Sequence, residues 1–156
     1  MSGNKTLIAY ATKSGVTEEA ANVIANVLRE KYAFEVNTVN LMENKSPDIS
    51  QYNNVIVGYG VRMQRPYGEG VKFLETDFKD KRVAVFIVCL EAGDPKSYDG
   101  ACEKYVTSVL EKHPHVKPVA TGAFGGKMSM LGKTTDARDM GKVSAWAEEL
   151  GKKLSI

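Results

Sequence analysis

Six consecutive residues near the start of the chain have side chains suited to binding a phosphate group. They are Thr12, Lys13, Ser14, Gly15, Val16 and Thr17. Three hydroxyl groups and a glycine come directly before a helical pattern, and the free N–H groups at a helix N-terminus favour an anion. Lys13 adds a positive charge. Capping of the helix would explain one hydroxyl group but not three, so we predict a phosphate site, with simple capping as the alternative.

Better-known phosphate motifs do not occur in the chain. The patterns GxxxxGK[ST] and GxGxxG are both absent, which argues against a nucleotide triphosphatase and an ordinary dinucleotide-binding domain. A phosphoacceptor domain would need carboxylates where the first and third strands end. The chain has Ala11-Thr12 and Tyr59-Gly60 at these positions, so that class is disfavoured as well.

Apolar segments of strand length alternate with amphipathic segments of helix length. We predict strands at residues 6–11, 35–41, 54–60, 82–90 and 116–124, and helices at residues 17–32, 68–77, 97–112 and 136–154. This alternation is typical of an α/β fold with a mainly parallel sheet. Ligands of such sheets bind beyond the carboxyl ends of the strands, so the loops at those ends are the candidate site.

Composition and charge limit the class of protein. The chain has 156 residues, of which 43% are hydrophobic and 26% are charged, as expected for one globular domain at residues 1–156. The net charge of +2 is spread along the sequence, so we predict no nucleic-acid partner. The longest apolar run, residues 83–90, is far shorter than the ~20 residues that cross a bilayer. We expect a cytoplasmic protein without integral membrane association.

The cysteines and histidines give no metal or disulfide pattern. Cys89 and Cys102 lack the spacing of a zinc site or a disulfide framework, and Cys89 is predicted to be a small buried side chain. His113 and His115 flank Pro114 without nearby ligands, so we predict that both are exposed and that no metal site is present.

Several motifs resemble those of flavodoxins. Residues 12–17 resemble the phosphate loop T-x-[TS]-G-x-T, and residues 93–98, Gly-Asp-Pro-Lys-Ser-Tyr, are similar to the G-D-x-x-Y loop with one extra residue. Val61-Arg62-Met63, residues 122–127, residues 136–139 and residues 145–147 are similar to a flavodoxin-domain branch that includes menaquinone-dependent protoporphyrinogen oxidases. Gln64 stands where that branch often has glycine.

The resemblance implies a fold, a cofactor and a site. The fold would be a flavodoxin-like doubly wound α/β fold, with a five-stranded parallel sheet in the order 2-1-3-4-5 and helices on both faces. The cofactor would be FMN, with its phosphate at residues 12–17 and its ring between the loops after the third and fourth strands. The implied residues of those loops are Gly60, Val61, Arg62, Met63, Leu90, Glu91, Ala92, Gly93, Asp94 and Tyr98.

Three residues of these loops have two possible interpretations each. Gly60 can take a positive φ and let the chain approach the ring, or simply end a strand. Arg62 would stabilise a reduced, anionic flavin, or be a solvated arginine. Tyr98 would stack on the ring or pack into the core. Trp146 is predicted to lie in the core.

Three functions are compatible with these residues and with the resemblance. The first is an FMN protein that carries electrons between redox partner proteins, without a catalytic side chain. The second is an FMN-dependent oxidoreductase acting on a small substrate such as protoporphyrinogen, and the third is a flavin-free binding module. Residues 122–135 are predicted to form a long flexible loop. In the enzyme, Phe124, Met128, Met130 and Leu131 would form a lid over the ring. The sequence does not indicate an oligomeric state.

Overall fold

The computed structural model describes residues 4–13 and 15–155 and contains an α/β fold. In chain order its elements are β1 (Lys5–Ala11), α1 (Val16–Tyr32), β2 (Glu35–Asn40), β3 (Asn54–Arg62), β4 (Arg65–Pro66), α2 (Gly68–Phe73), β5 (Arg82–Cys89), a 3-10 turn (Leu90–Gly93), α3 (Tyr98–Cys102), a π turn (Glu103–Thr107), α4 (Ser108–Glu111), β6 (Ala120–Gly125), β7 (Lys127–Met130), β8 (Lys133–Asp136) and α5 (Met140–Leu154). The five long strands are parallel in the order β2-β1-β3-β5-β6. This confirms the predicted sheet order.

Both faces of the sheet are buried. Alternate residues of each strand point to opposite faces, so each strand contributes to two core clusters. In β3, for example, Val55 and Val57 belong to one core cluster with Leu74 of the α2 side. Ile56 belongs to the other cluster, with Ile24 of α1 and Leu150 of α5. Helices therefore cover both faces, as predicted, which explains the nearly continuous apolar sequence of β3 and β5.

The predicted loop at residues 122–135 was wrong. The segment contains the end of β6 and an antiparallel hairpin of β7 and β8, in which Lys127 pairs with Asp136 and Met130 with Lys133. Because Asp136 belongs to β8, α5 begins at Met140 and not at residue 136. Asp139 caps α5, and its carboxylate accepts a hydrogen bond from the Lys142 amide.

The predicted helix at residues 97–112 is interrupted by the π turn. The Tyr59 hydroxyl donates to the Tyr105 carbonyl at 2.5 Å, and the Ser108 hydroxyl donates to the Glu103 carbonyl at 2.8 Å. Side chains that bond to helix carbonyls in this way open the regular ladder of hydrogen bonds. One of these two hydrogen bonds comes from Tyr59, which lies in a different element, β3.

Three smaller predictions also need correction. The last sheet strand starts at Ala120, because Pro118 just before it has no N–H for pairing. Helix α2 ends at Phe73, before residue 77. His113 is only 8% exposed, since its Nδ1 contacts the Val109 carbonyl oxygen at 2.9 Å and its ring packs against His115.

No helix among the described residues is long and apolar enough to cross a membrane. The same residues contain no group of three or more histidine, cysteine or acidic side chains that could hold a metal ion.

Candidate functional site

A cavity of about 430 Å³ lies at the carboxyl ends of β3 and β5, beside the start of α1. Such a place in a doubly wound sheet is where ligands bind. Its walls come from four segments, and they are Val16, Thr17, Gly60, Val61, Arg62, Met63, Gln64, Tyr67, Val88, Cys89, Leu90, Glu91, Gly126, Lys127, Met128 and Ser129. The strand ends singled out from the sequence therefore form one concave site.

Half of the predicted cofactor residues line this cavity. They are Val16, Thr17, Gly60, Val61, Arg62, Met63, Leu90 and Glu91. Thr12 is buried at the end of β1, whereas Lys13 and Gly15 are exposed just before α1. Ser14 lies outside the described residues.

The other predicted residues lie past the wall formed by Leu90 and Glu91. Ala92, Gly93 and Tyr98 line a second cavity of about 450 Å³, together with Trp146. Asp94, which lies between Gly93 and Tyr98 in the sequence, is exposed. Tyr98 is 40% exposed, so it neither faces the first cavity nor packs into the core. Trp146, which was predicted to lie in the core, is only half-buried and packs against the edge of the core, where its indole N–H donates to the Thr121 carbonyl at 3.0 Å.

The Thr17 hydroxyl is a buried donor without a partner. Its oxygen has no hydrogen bond to any described residue, although the side chain is only 1% exposed. An unpaired buried hydroxyl costs about 1–3 kcal/mol, so native structures rarely keep one unless a ligand, ion or water completes it. Simple capping of α1 does not account for this hydroxyl group.

The start of α1 has the other features of an anion site. Gly15 has φ 87 and no side chain that could cap the helix, a left-handed conformation that glycine adopts without strain. Free backbone N–H groups and the positive end of a 17-residue helix therefore lie next to Thr17. The donor set fits a phosphate group.

Gly60 acts through its small size and not through a positive φ. It continues strand β3, and its φ is not among the positive values of the chain. A Cβ atom at this position would lie 3.0 Å from the Thr17 hydroxyl oxygen and 3.2 Å from the Tyr67 ring. The missing side chain thus leaves room for both residues at the cavity wall.

A tight hairpin forms the edge of the cavity after β3. Arg62 and Arg65 are paired across it, and the two turn residues between them, Met63 and Gln64, have φ 52 and 65. Two consecutive positive φ values are typical of the type I′ turn that normally contains Asn-Gly. Residues other than glycine pay about 1 kcal/mol or more in this conformation. The turn is therefore strained where it meets the site.

A fixed negative charge lies on the opposite wall. Lys104 donates to one carboxylate oxygen of Glu91 at 2.7 Å, and the Tyr105 hydroxyl donates to the other at 2.6 Å. These hydrogen bonds, that of Lys104 first, lower the pKa of Glu91. Glu91 therefore remains ionised over the whole neutral range.

Eight residues of the cavity wall were not among the predicted cofactor residues. Three of them are Tyr67, Cys89 and Met128, and of these Met128 was predicted only as part of a lid. Tyr67 is its aromatic wall residue, Met128 comes from the β7–β8 hairpin, and Cys89 ends β5. Burial raises the pKa of the Cys89 thiol to about 11, so this group is neutral at pH 7. In the sequence, the Pro66-Tyr67 pair directly after the third strand was the available signal for Tyr67. The position of Met128 in the cavity wall depends on the pairing of β7 with β8.

Comparison with known proteins decides the family. A family model described as a flavodoxin domain matches residues 7–150, which is most of the chain. The chain belongs to the flavodoxin domain family. No curated protein sequence matches this flavodoxin-domain protein significantly.

Solved structures of flavodoxins share its fold. Flavodoxin 2 of Bacillus cereus is 24% identical with a TM-score of 0.68, and the match covers 96% of this chain and 99% of that one. Flavodoxin 1 of the same organism is 24% identical with a TM-score of 0.64, covering 95% and 97%. A variant of Fusobacterium nucleatum flavodoxin bound to flavin mononucleotide is 17% identical with a TM-score of 0.57, covering 96% of each chain.

Proposed function

We propose that residues 1–156 form one FMN-binding domain that carries electrons between redox partner proteins. The observation that carries this proposal is the buried, unpartnered Thr17 hydroxyl at the start of α1. A phosphate oxygen would supply the missing hydrogen bond, and the neighbouring cavity offers room for a flavin ring. Membership of the flavodoxin domain family supports the same cofactor.

The phosphate would be held by the segment before α1. We assign this role to Thr12, Lys13, Ser14, Gly15, Val16 and Thr17, through hydroxyl groups, backbone N–H groups and the Lys13 charge. The first turn of α1 also carries two carboxylates, Glu18 and Glu19. Glu18 accepts a hydrogen bond from Tyr10, and Glu19 is paired with Arg138 at 3.1 Å. Both carboxylates therefore have partners of their own.

The ring would lie between the end of β3 and the 3-10 turn after β5. Bound FMN supplies the capacity to accept and release one or two electrons. Val61, Met63 and Leu90 would exclude water from the ring, while Gly60 leaves space for it. Arg62 brings a positive charge to one wall and Glu91 a fixed negative charge to the other. The Arg62 charge would stabilise a reduced, anionic flavin, whereas the Glu91 charge is largely offset by its ion pair with Lys104.

A second candidate is an FMN-dependent oxidoreductase acting on a small substrate such as protoporphyrinogen. Two observations favour it. Val61-Arg62-Met63 resembles the corresponding segment of the protoporphyrinogen oxidase branch, and Met128 of the β7–β8 hairpin lines the cavity as a partial cover. Phe124 packs against Phe86 and Trp146 in the core, and Leu131 is exposed. The side chain of the fourth predicted lid residue, Met130, lies outside the described part of the structure. Of Phe124, Met128 and Leu131, only Met128 is placed to cover a substrate.

The cytoplasm is the proposed location. Cys89 and Cys102 are both free thiols, as is usual for proteins of a reducing compartment.

Absorbance spectroscopy of the purified protein tests the function. We expect a yellow protein with one FMN per chain that passes electrons to a second redox protein and does not turn over protoporphyrinogen. Turnover that falls in a Met128→Ser variant with unchanged FMN content would favour the oxidoreductase. A colourless protein that does not bind added FMN would contradict both and leave a flavin-free binding module.

A further inference from the structure

Two β-hairpins form adjoining parts of the cavity wall. The first rim hairpin is residues 61–66, and the second rim hairpin is residues 127–136. Residues 61–64 of the first and residues 127–129 of the second line the cavity. A protein that approaches the bound ring along this edge would therefore meet both hairpins.

Each rim hairpin exposes an apolar side chain at its turn. Met63 is 67% exposed with φ 52, and Leu131 is 97% exposed with φ 52. Asparagine or glycine would fit these left-handed positions without strain. Neither Met63 nor Leu131 recovers the cost of its conformation by burial within the chain. Apolar contact with another molecule would recover it.

The first rim hairpin also holds two like charges opposite each other. Arg62 and Arg65 are cross-strand partners, an arrangement that destabilises a hairpin unless an anion lies near. Within the described part of the chain, neither arginine forms an ion pair. An external carboxylate between them would relieve the repulsion.

The second rim hairpin adds positive charge. Lys133 is exposed beside Leu131 and likewise forms no ion pair with a described residue. Lys127 lies opposite Asp136, but that carboxylate is already bound by Arg138 at 2.7 Å. Both rim hairpins therefore present cations around an exposed apolar residue.

In the folded protein, the net positive charge lies on the two rim hairpins at the edge of the cavity. Residues 61–66 and 127–136 contain four basic residues and one acidic residue, a net charge of +3. The whole chain has a net charge of +2, so all remaining residues together sum to −1. The excess positive charge of the protein thus lies on the two rim hairpins.

We propose that the rim hairpins are the docking surface for a redox partner protein whose own docking face is acidic around a small apolar centre. The proposal rests on the proposed function and adds the chemistry of the partner. Met63 and Leu131 would make the apolar contact of a small, transient interface. Arg62, Arg65 and Lys133 would steer the partner and fix its orientation.

An anionic membrane surface is the competing occupant. Neither rim hairpin contains a tryptophan, tyrosine or phenylalanine, the residues that usually anchor a protein at a membrane interface. Two separate aliphatic side chains also offer little area for insertion. The observations therefore favour a protein partner.

The charge part of the proposal is tested with two small oxidants of opposite charge. The FMN-loaded protein is reduced and mixed in a stopped-flow instrument with ferricyanide or with tris(phenanthroline)cobalt(III), each of which accepts one electron. The test variant is R65Q/K133Q. The matched control is K112Q/K117Q, which loses the same two charges from exposed sites near the amino end of β6.

At about 10 mM ionic strength, R65Q/K133Q should oxidise about threefold more slowly with ferricyanide and faster with the cobalt complex. At about 0.5 M salt, where charges are screened, these differences should disappear. The control variant should differ little from wild type at either ionic strength. Equal rates for the two variants with ferricyanide would overturn the proposal.

The apolar part is tested with Leu131→Ser and an acidic protein probe, a plant-type [2Fe–2S] ferredoxin. The substitution should weaken ferredoxin binding by about threefold, measured by calorimetry, and leave the ferricyanide rate unchanged. Unchanged ferredoxin binding would contradict the proposal. So would Leu131-dependent sedimentation with phosphatidylserine vesicles, which would indicate a membrane as the occupant.

Visible spectra of all variants separate this proposal from the proposed function. A colourless wild-type protein would overturn the FMN function and the docking surface with it. A yellow protein whose rates do not respond to R65Q/K133Q would overturn the docking surface alone.

Discussion

Thr17 is the residue on which the assignment of a phosphate site depends most. Its buried hydroxyl lacks a partner within the described chain, so Thr17→Val removes an unpaired group and preserves shape. We expect the FMN-free protein to gain about 1 kcal/mol of stability. FMN affinity should fall by about 10- to 100-fold, because a hydrogen bond to a charged phosphate is lost. Urea unfolding and flavin fluorescence titration measure the two effects.

Thr6→Val is the matched control for this change. Thr6 is also buried, but its hydroxyl bonds to the Asn4 carbonyl and the Asn54 amide at 3.3 and 3.0 Å. The substitution should lower stability by about 1–2 kcal/mol and leave FMN affinity unchanged. If both variants were equally destabilised, Thr17 would be an ordinary structural threonine.

Glu91 gives the site a pH-dependent contribution to stability. Because Lys104 and Tyr105 lower its pKa in the folded state, its contribution is present above the unfolded pKa of about 4.3 and is lost as the pH falls through the folded value. Glu91→Gln should therefore lower the free energy of unfolding by about 1 kcal/mol at pH 7.

Urea unfolding at pH 7, 5 and 3 measures this effect. The difference between wild type and Glu91→Gln should shrink at pH 3, because this pH lies below the unfolded pKa of about 4.3 and proton binding by the unfolded state then favours unfolding of the wild type. Tyr105→Phe, which removes one hydrogen bond from Glu91 but keeps its charge, should show a smaller loss at pH 7. A difference that stays constant from pH 7 to pH 3 would contradict the assigned role of the Glu91 charge.

Among the elements, the hairpin after β3 shows that local backbone preference is overridden beside the site. Gln64 has φ 65, a value that glycine adopts without strain. Gln64→Gly should therefore stabilise the protein by about 0.5–1 kcal/mol in urea unfolding. Lys45→Gly, at an exposed loop position without a positive φ, should instead destabilise it slightly. A loss of stability in Gln64→Gly would mean that the turn is not strained.

The strands were predictable because they depend on local pattern, whereas their order in the sheet was implied by the family resemblance. Continuous apolar segments such as residues 83–89 identify strands buried on both faces, and the loop after the first strand identified the family resemblance. The β7–β8 hairpin was missed, because its strands are only four residues long and β8 contains no apolar residue. The hairpin forms through pairing between β7 and β8. The π turn was missed since one of the two side chains that bond to its carbonyls, Tyr59, is distant in sequence.

The candidate site was predictable to the level of the loops but not of every side chain. Residues at the ends of β3 and β5 do form one cavity. Tyr98 lies on the side of the second cavity, because the 3-10 turn after β5 carries the chain past the wall before α3 begins. Met128 was expected near the ring as part of a lid, but its place in the cavity wall depends on the pairing of β7 with β8, which the sequence pattern did not indicate.

At the scale of the whole molecule, the fold separates two tasks. The sheet and its helices hold the predicted phosphate segment and the two wall loops in place. The rim hairpins carry the excess positive charge and the exposed apolar side chains, Met63 and Leu131. Substitutions in the rim hairpins outside the cavity wall should therefore change partner contacts more than cofactor binding.

Titration of the FMN-free protein with FMN and with riboflavin, which lacks the phosphate, tests the central claim most directly. Flavin fluorescence quenching reports both affinities in the same buffer. We expect one FMN per chain, bound at least about 100-fold more tightly than riboflavin, because the start of α1 is built for a doubly charged anion. Equal affinities for the two flavins, or no binding of either, would contradict the account.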